Sequence, residues 1–263
     1  MKTRVLDISL EHLALAYILG TVVFALINIK KLKLNKHFFV SMVRMTIQLV
    51  AVGFLLKYVF QVRLPILIAA IFLFMSFNAS RIVIARSGIS FPYVHLLVFA
   101  GITIGPGLVL LFFIGIVVSP IPWYNPRFLI PIAGMILGNS MNGSALALER
   151  YFGECKITLP KIKTLISLGA TENEASRNAY RKAYRAGLLP TLISMSSMGI
   201  VSLPGMMTGQ ILGGSPPLIA IKYQIGIMLA ILSAVAISIF IILSLEQHQL
   251  FNAYGLPKDE ILK

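Results

Sequence analysis

Apolar residues dominate the chain in long blocks, and short polar stretches separate the blocks. Seven runs reach the roughly 20 helical residues needed to cross about 30 Å of hydrocarbon. They are Leu10–Ile29, Phe38–Phe60, Ile66–Ala85, Phe91–Val118, Phe128–Leu148, Leu189–Leu212 and Leu218–Leu245. None alternates with the dyad period of a lipid-facing strand, so the pattern predicts helices rather than a barrel. The second run is amphipathic, carrying Arg44, Gln48 and Lys57. It reads either as a span or as a helix lying in the interface, which would leave six crossings. The expected fold class is an all-α integral membrane protein of about seven transmembrane helices. A single membrane domain is expected over residues 1–263, with one cytoplasmic loop at 149–188.

Charge orients this ladder. Most of the 23 lysines and arginines fall in alternate connections. Lys30, Lys31, Lys33 and Lys36 occupy one; Arg81 and Arg86 the next on that side. The Arg150–Arg185 stretch and the tail with Lys258 and Lys263 complete the set. Cytoplasmic loops carry such an excess, so the amino terminus is expected outside and the carboxyl terminus inside. The short opposite loops suit a membrane boundary, notably Trp123 and Tyr124 between prolines. The opening segment with Lys2, Arg4, Asp7 and Glu11 has no small-residue cleavage site after its apolar run, so the first run is expected to be retained.

Composition narrows the class. Of 263 residues, 57% are hydrophobic and 12% charged, about half the charged fraction of a soluble domain. The net charge of +14 would ordinarily raise nucleic-acid binding, but the basic residues lie between apolar runs instead of on one soluble module. The single cysteine, Cys155, excludes an intramolecular disulfide and falls in the most polar stretch. No G-x-x-x-x-G-K-[ST] occurs, so the chain is not expected to hydrolyse ATP. The histidines His12, His37, His95 and His248 are dispersed, and only His95 falls within an expected span. No Asp or Glu falls deep in a run, which weighs against a proton-coupled carrier.

The only long polar stretch, Glu149 to Gly187, contains Leu168-Gly169-Ala170-Thr171-Glu172-Asn173-Glu174. Thr171 and Glu174 form a capping box that opens a helix to about Ala186. Ala175, Ala179 and Ala183 make a smooth stripe on it; Arg177, Arg181 and Arg185 make a basic one. The smooth stripe suits a partner's groove, while the plain alternative is a solvated connector.

Two further segments carry candidate path residues. The fifth run holds Gly134, Gly138, Asn139, Ser140, Asn142, Gly143 and Ser144. Gly134 and Gly138 permit close helix approach, and the asparagines either bridge helices or line a polar path. The sixth run holds Gly205, Gly209 and Gly213 at four-residue spacing, with Pro204 near its middle. Proline there kinks or breaks a helix, and broken helices expose carbonyls to a substrate path. Ser202, Thr208 and Gln210 add oxygens; Met195, Met198, Met206 and Met207 add soft thioethers. Methionine also serves simply as adaptable packing, so both readings stand.

Leu168-Gly-Ala170, the polar helix and Leu188-Leu-Pro190 resemble the coupling loop of ABC transporter permeases. The chain departs from the importer form, with Lys163-Thr-Leu165 where Glu-Ala-Ala precedes the glycine. A narrower resemblance lies in Gly138-Asn-Ser-Met-Asn-Gly143, Ala147-Leu-Glu-Arg150, Leu168-Gly-Ala-Thr171 and Ser202-Leu-Pro-Gly-Met-Met-Thr-Gly-Gln-Ile-Leu-Gly213. These are similar to FetB-like permeases, a family that includes a bacterial iron-export permease and plant aluminium-tolerance proteins. The resemblance implies a homodimeric permease in the cell membrane, paired with a separate ABC ATPase that uses ATP and Mg. It also implies metal export. It points to Gly169, Ala170, Thr171 and Glu174 with the alanine stripe as the coupling surface. A stand-alone carrier and a non-transporting membrane scaffold are the alternative classes.

Overall fold

A computed structural model describes residues 8–62, 64–89 and 93–251, apart from the side chains of His248 and Leu250. Lys2, Arg4, Asp7, Arg63, Phe91, Lys258 and Lys263 lie outside the described residues, as does the His248 side chain. Nine α-helices occur among the described residues: α1 (Leu10–Ile29), α2 (Asn35–Val62), α3 (Pro65–Ser87), α4 (Val94–Phe112), α5 (Pro126–Ile157), α6 (Leu159–Ser167), α7 (Glu172–Ser197), α8 (Gly205–Leu212) and α9 (Pro217–Leu250). A π-helical segment, Phe113–Val118, continues α4. There is no β-sheet among the described residues; one backbone bridge pairs Met198 with Ser202.

Five helices are long and apolar enough to cross a membrane: α1, α2, α3, α4 with its π-helical extension, and α9. The second run, left open between a span and an interfacial helix, is thus one continuous helix of spanning length. The fifth run lies inside the 32-residue α5, which at 1.5 Å per residue is about 48 Å long and outreaches the hydrocarbon. The sixth run is not the continuous helix expected over Leu189–Leu212. Helix α7 ends at Ser197, residues 198–204 are non-helical, and α8 restarts at Gly205. Pro204 supplies no backbone N–H and disfavours helix at Leu203, while Gly199 takes a φ of +84° that a helix cannot use.

The described residues divide into two compact units, those up to Val62 with Leu212–Ser215, and those from Leu64 to Ile211 with Pro216 to Phe251. In the first, α1 and α2 form a helical hairpin. Phe24 packs on the rings of Phe38 and Phe39, Tyr17 bonds Thr46 at 2.6 Å, and Asn35 donates to Asn28 at 2.8 Å. Among their described residues only Ile27 and Val59 are buried. The Leu, Ile, Val and Phe side chains left exposed suit a bilayer, not water.

The second unit is built round α5, which packs on α3, α4, α7 and α9. Small residues bring these helices close. Gly101 of α4 lies against Ile242 of α9, and a Cβ on Gly105 would fall 2.7 Å from Ser238 Oγ. The tightest backbone crossing joins α5 to α7. A Cβ on Gly187 would meet Gly143 O at 2.6 Å and Ala147 Cβ at 3.0 Å.

Candidate functional site

The polar stretch expected as a cytoplasmic loop is almost wholly helical, and its turn is built by two complementary caps. Helix α6 ends in a Schellman closure: Ala170 N donates to Leu165 O at 3.0 Å and Gly169 N to Ile166 O at 2.9 Å. That closure needs a left-handed residue, and Gly169 supplies it at φ +92°. Helix α7 then opens on the expected capping box. Glu174 N donates to Thr171 Oγ1 at 3.3 Å, and Thr171 N and Oγ1 donate to Glu174 Oε2 at 2.8 and 2.9 Å. These bonds, the backbone one first, hold the Glu174 carboxyl below its ordinary value. Leu168 stands at the apex, 79% exposed.

The alanine stripe faces the other way from the expectation. Ala175, Ala179 and Ala183 are buried in the chain's own core, so that smooth face already seats α7 within the bundle. The side of α7 left to solvent carries Arg177, Arg181 and Arg185.

Polar ties fasten α7 to its neighbours. Glu154 of α5 receives Lys182 Nζ and Arg150 Nη2, each at 2.8 Å. The Lys182 bond leads in holding the Glu154 carboxyl below the usual range. Gln247 of α9 donates to Ser176 at 2.6 Å, and Tyr184 donates to Ala236 O at 3.1 Å. With the Gly143–Gly187 crossing, these make α7 a lever gripped by α5 and α9. Cys155, expected in a polar loop, is buried in the last turns of α5, and burial pushes its thiol up to about 12. Tyr151, also buried there, is raised above its ordinary range, chiefly by desolvation.

The fifth-run candidates are scattered. Gly134 faces Met75, whose Cε would lie 3.4 Å from a Cβ; Gly138 has nothing within 4 Å. Asn139 donates to Met135 O of its own helix at 2.8 Å, and Asn142 accepts from Arg86 of α3 at 3.4 Å. Ser140 and Ser144 are fully buried.

At the α7–α8 break four of the candidates come together. Thr208 N and Oγ1 both donate to Pro204 O, at 2.9 and 3.0 Å, which starts α8. Gly205 and Gly209 have nothing within 4 Å of a built Cβ, and Gln210 Oε1 is buried without a partner. Ser202 and Gly213 are exposed, the latter within the short segment Leu212–Ser215. Met195, Met198, Met207 and Pro204 line one cavity of about 460 Å³. Met206 packs against the core and does not line this cavity.

The cavity's far wall was not singled out from sequence. It comprises Gln224 and Met228 of α9, one turn apart. Gln224 is 6% exposed, its Nε2 donates to Met198 Sδ at 3.8 Å, and its Oε1 has no partner. A glutamine inside a largely apolar run was the available signal. Likewise Gly187, Lys182 and Glu154 were legible only as loop residues. His95 is exposed in the first turn of α4. Among the described residues, no three His, Cys, Asp or Glu come together as a metal site.

The model of the uncharacterised protein family UPF0014 matches residues 10–251. The chain belongs to this family. It is 37% identical over 248 residues to the probable iron export permease protein FetB of Escherichia coli, covering 94% of each chain. A UPF0014 membrane protein of Synechocystis is 36% identical over 253 residues, 94% of this chain and 96% of its own. The protein ALUMINUM SENSITIVE 3 of Arabidopsis thaliana is 32% identical over 213 residues, 80% of this chain and 75% of its own. No solved structure matches. Family membership and the apolar helices together make this UPF0014 protein a multi-pass, permease-like membrane protein.

Proposed function

We propose that this UPF0014 protein is the membrane-spanning subunit of an ATP-driven exporter of metal ions, working as a homodimer with a separate ABC-type ATPase. The observation that carries the reading is the end-to-end similarity to a probable iron export permease, with 94% of both chains aligned. The α6–α7 turn supports it physically. An apolar apex, Leu168, is held outside the bundle between a Schellman stop and a capping box, which is a rigid knob for a partner's groove.

ATP binding in the partner would push on this turn. Helix α7 would carry the push inward through Lys182–Glu154 to α5 and through Gln247 and Tyr184 to α9. The lever ends at the α7–α8 break, where residues 198–204 are already non-helical and able to rearrange. Energy transmission thus runs from the turn to the cavity along one helix.

The test is flux into or out of proteoliposomes that hold this chain and a candidate P-loop ATPase. ATP-dependent movement of a metal ion, lost when either protein is omitted, supports the reading. Gradient-driven flux by this chain alone would make it a stand-alone carrier, and no flux with the ATPase present would favour a scaffold.

A further inference from the structure

The break between α7 and α8 gathers four thioethers from three separate stretches of chain. Met195 lies in the last turns of α7 and Met198 at its end; Met207 comes from α8 and Met228 from α9. Met195 and Met198 are three residues apart and so share a face, as do Gln224 and Met228 at four. All four border an open space of about 460 Å³, and Met228 packs against the core as well.

The one polar side chain in that wall is unusual. Gln224 is more than nine-tenths buried, and its amide N–H points a Met198 sulfur at 3.8 Å. Its Oε1 makes no hydrogen bond and is packed beyond the reach of water, so only the N–H side of the amide serves the cavity.

The donor set defines the occupant's chemistry. It is neutral, soft and free of carboxylates. Thioethers select thiophilic ions such as Cu(I), whereas Mg²⁺ and comparable hard ions need oxygens. Desolvating a dication in an apolar wall without a counter-charge is far costlier than desolvating a monovalent ion. No His, Cys, Asp or Glu trio among the described residues offers that counter-charge elsewhere.

We infer that this cavity binds a soft monovalent cation, Cu(I) or its analogue Ag(I), through Met195, Met198, Met207 and Met228. Gln224 orients Met198 through its amide N–H. The inference names a substrate class for the metal-export reading and rests on that reading for its physiological meaning. Because the ligands straddle the helix break, the ion would join α7, α8 and α9 when bound and release them when it leaves.

The test uses the purified full chain in detergent with Ag(I), a redox-inert probe. Bound metal is measured after desalting, and methionine oxidation by peroxide is mapped by mass spectrometry. About one Ag(I) per chain is expected, with Met195, Met198, Met207 and Met228 protected and Met206 unchanged. The double variant Met198→Leu/Met207→Leu should weaken Ag(I) binding at least about tenfold, and Gln224→Leu by about tenfold. Fe(II) and Mg(II) should not displace Ag(I). An oxidation pattern indifferent to Ag(I), unchanged affinity in the double variant, or equal competition by Fe(II) overturns the proposal. Silver binding with no ATPase partner would sink the exporter reading and leave the site standing; an ATPase partner with no silver binding would do the reverse.

Discussion

Adding one methyl group at Gly187 should loosen the joint between the lever helix and the bundle. A Cβ there would lie 2.6 Å from Gly143 O, 2.6 Å from Ile239 Cδ1 and 3.0 Å from Ala147 Cβ. Ile239 can rotate away, but the Gly143 carbonyl and the Ala147 methyl are fixed to the α5 backbone. Helices α5 and α7 must therefore separate by several tenths of an ångström. Overpacking of this kind costs about 1–3 kcal/mol, against which Ala gains about 1 kcal/mol of helix propensity over Gly. Gly187→Ala should then be destabilising by about 0–2 kcal/mol. Gly138→Ala, with nothing within 4 Å, keeps only the propensity gain and should stabilise by about 1 kcal/mol. The two variants should differ by about 1–3 kcal/mol, or roughly 2–10 °C in melting temperature of the detergent-purified chain. Equal melting of the two variants would refute the crossing described here. So would a Gly138 variant that melts below Gly187→Ala.

Other expected outcomes follow from the same geometry. Gly169→Ala puts a side chain at φ +92° and should cost about 1–2 kcal/mol locally, read as faster hydrogen exchange across Ile166–Thr171 with the intramembrane helices unchanged. Thr171→Ala removes the N-cap and should fray the first turn of α7 by about 1 kcal/mol, read the same way. Glu154 and Glu174 both have folded pKa values depressed below 4.5, so their contribution is complete above that value and fades as pH falls through the lower folded value. Acidification below about pH 4.5 should therefore raise exchange in α6 and α7, and Glu154→Gln/Glu174→Gln should already show that raised exchange at neutral pH and lose most of the acid response. Cys155, buried with its thiol pushed up to about 12, should resist iodoacetamide at pH 8 in the folded chain and react after denaturation.

Long apolar runs made the helices readable, because a bilayer imposes length and apolarity on each crossing. The cap at Thr171 was equally readable, since free helix-start N–H groups demand particular residues, whereas the closure at Gly169 ends a helix the sequence reading did not place. Which way α7 faces was not readable either. Ala175, Ala179 and Ala183 suit a partner's groove and a tight internal seam equally well, and only the position of α5 and α9 decides for the seam. The glycines divide for the same reason. Gly138, Gly205 and Gly209 have the spacing of a packing stripe, yet the close approaches fall at Gly101, Gly105, Gly143 and Gly187. Spacing places residues on one face of a helix; it does not supply the second helix. The methionine cavity was half readable, since Pro204 announced the break but α9 had to be placed before Gln224 and Met228 joined it.

The central claim, that a separate ATPase drives this chain through the α6–α7 turn, is tested most directly by purification in gentle detergent from native cells. Mass spectrometry would then identify what accompanies the wild-type chain and a Leu168→Asp variant. The account predicts that a P-loop ATPase accompanies the wild type and is lost from a variant that melts normally. Wild-type chain recovered alone, under conditions that keep other ATPase–permease complexes intact, would contradict it.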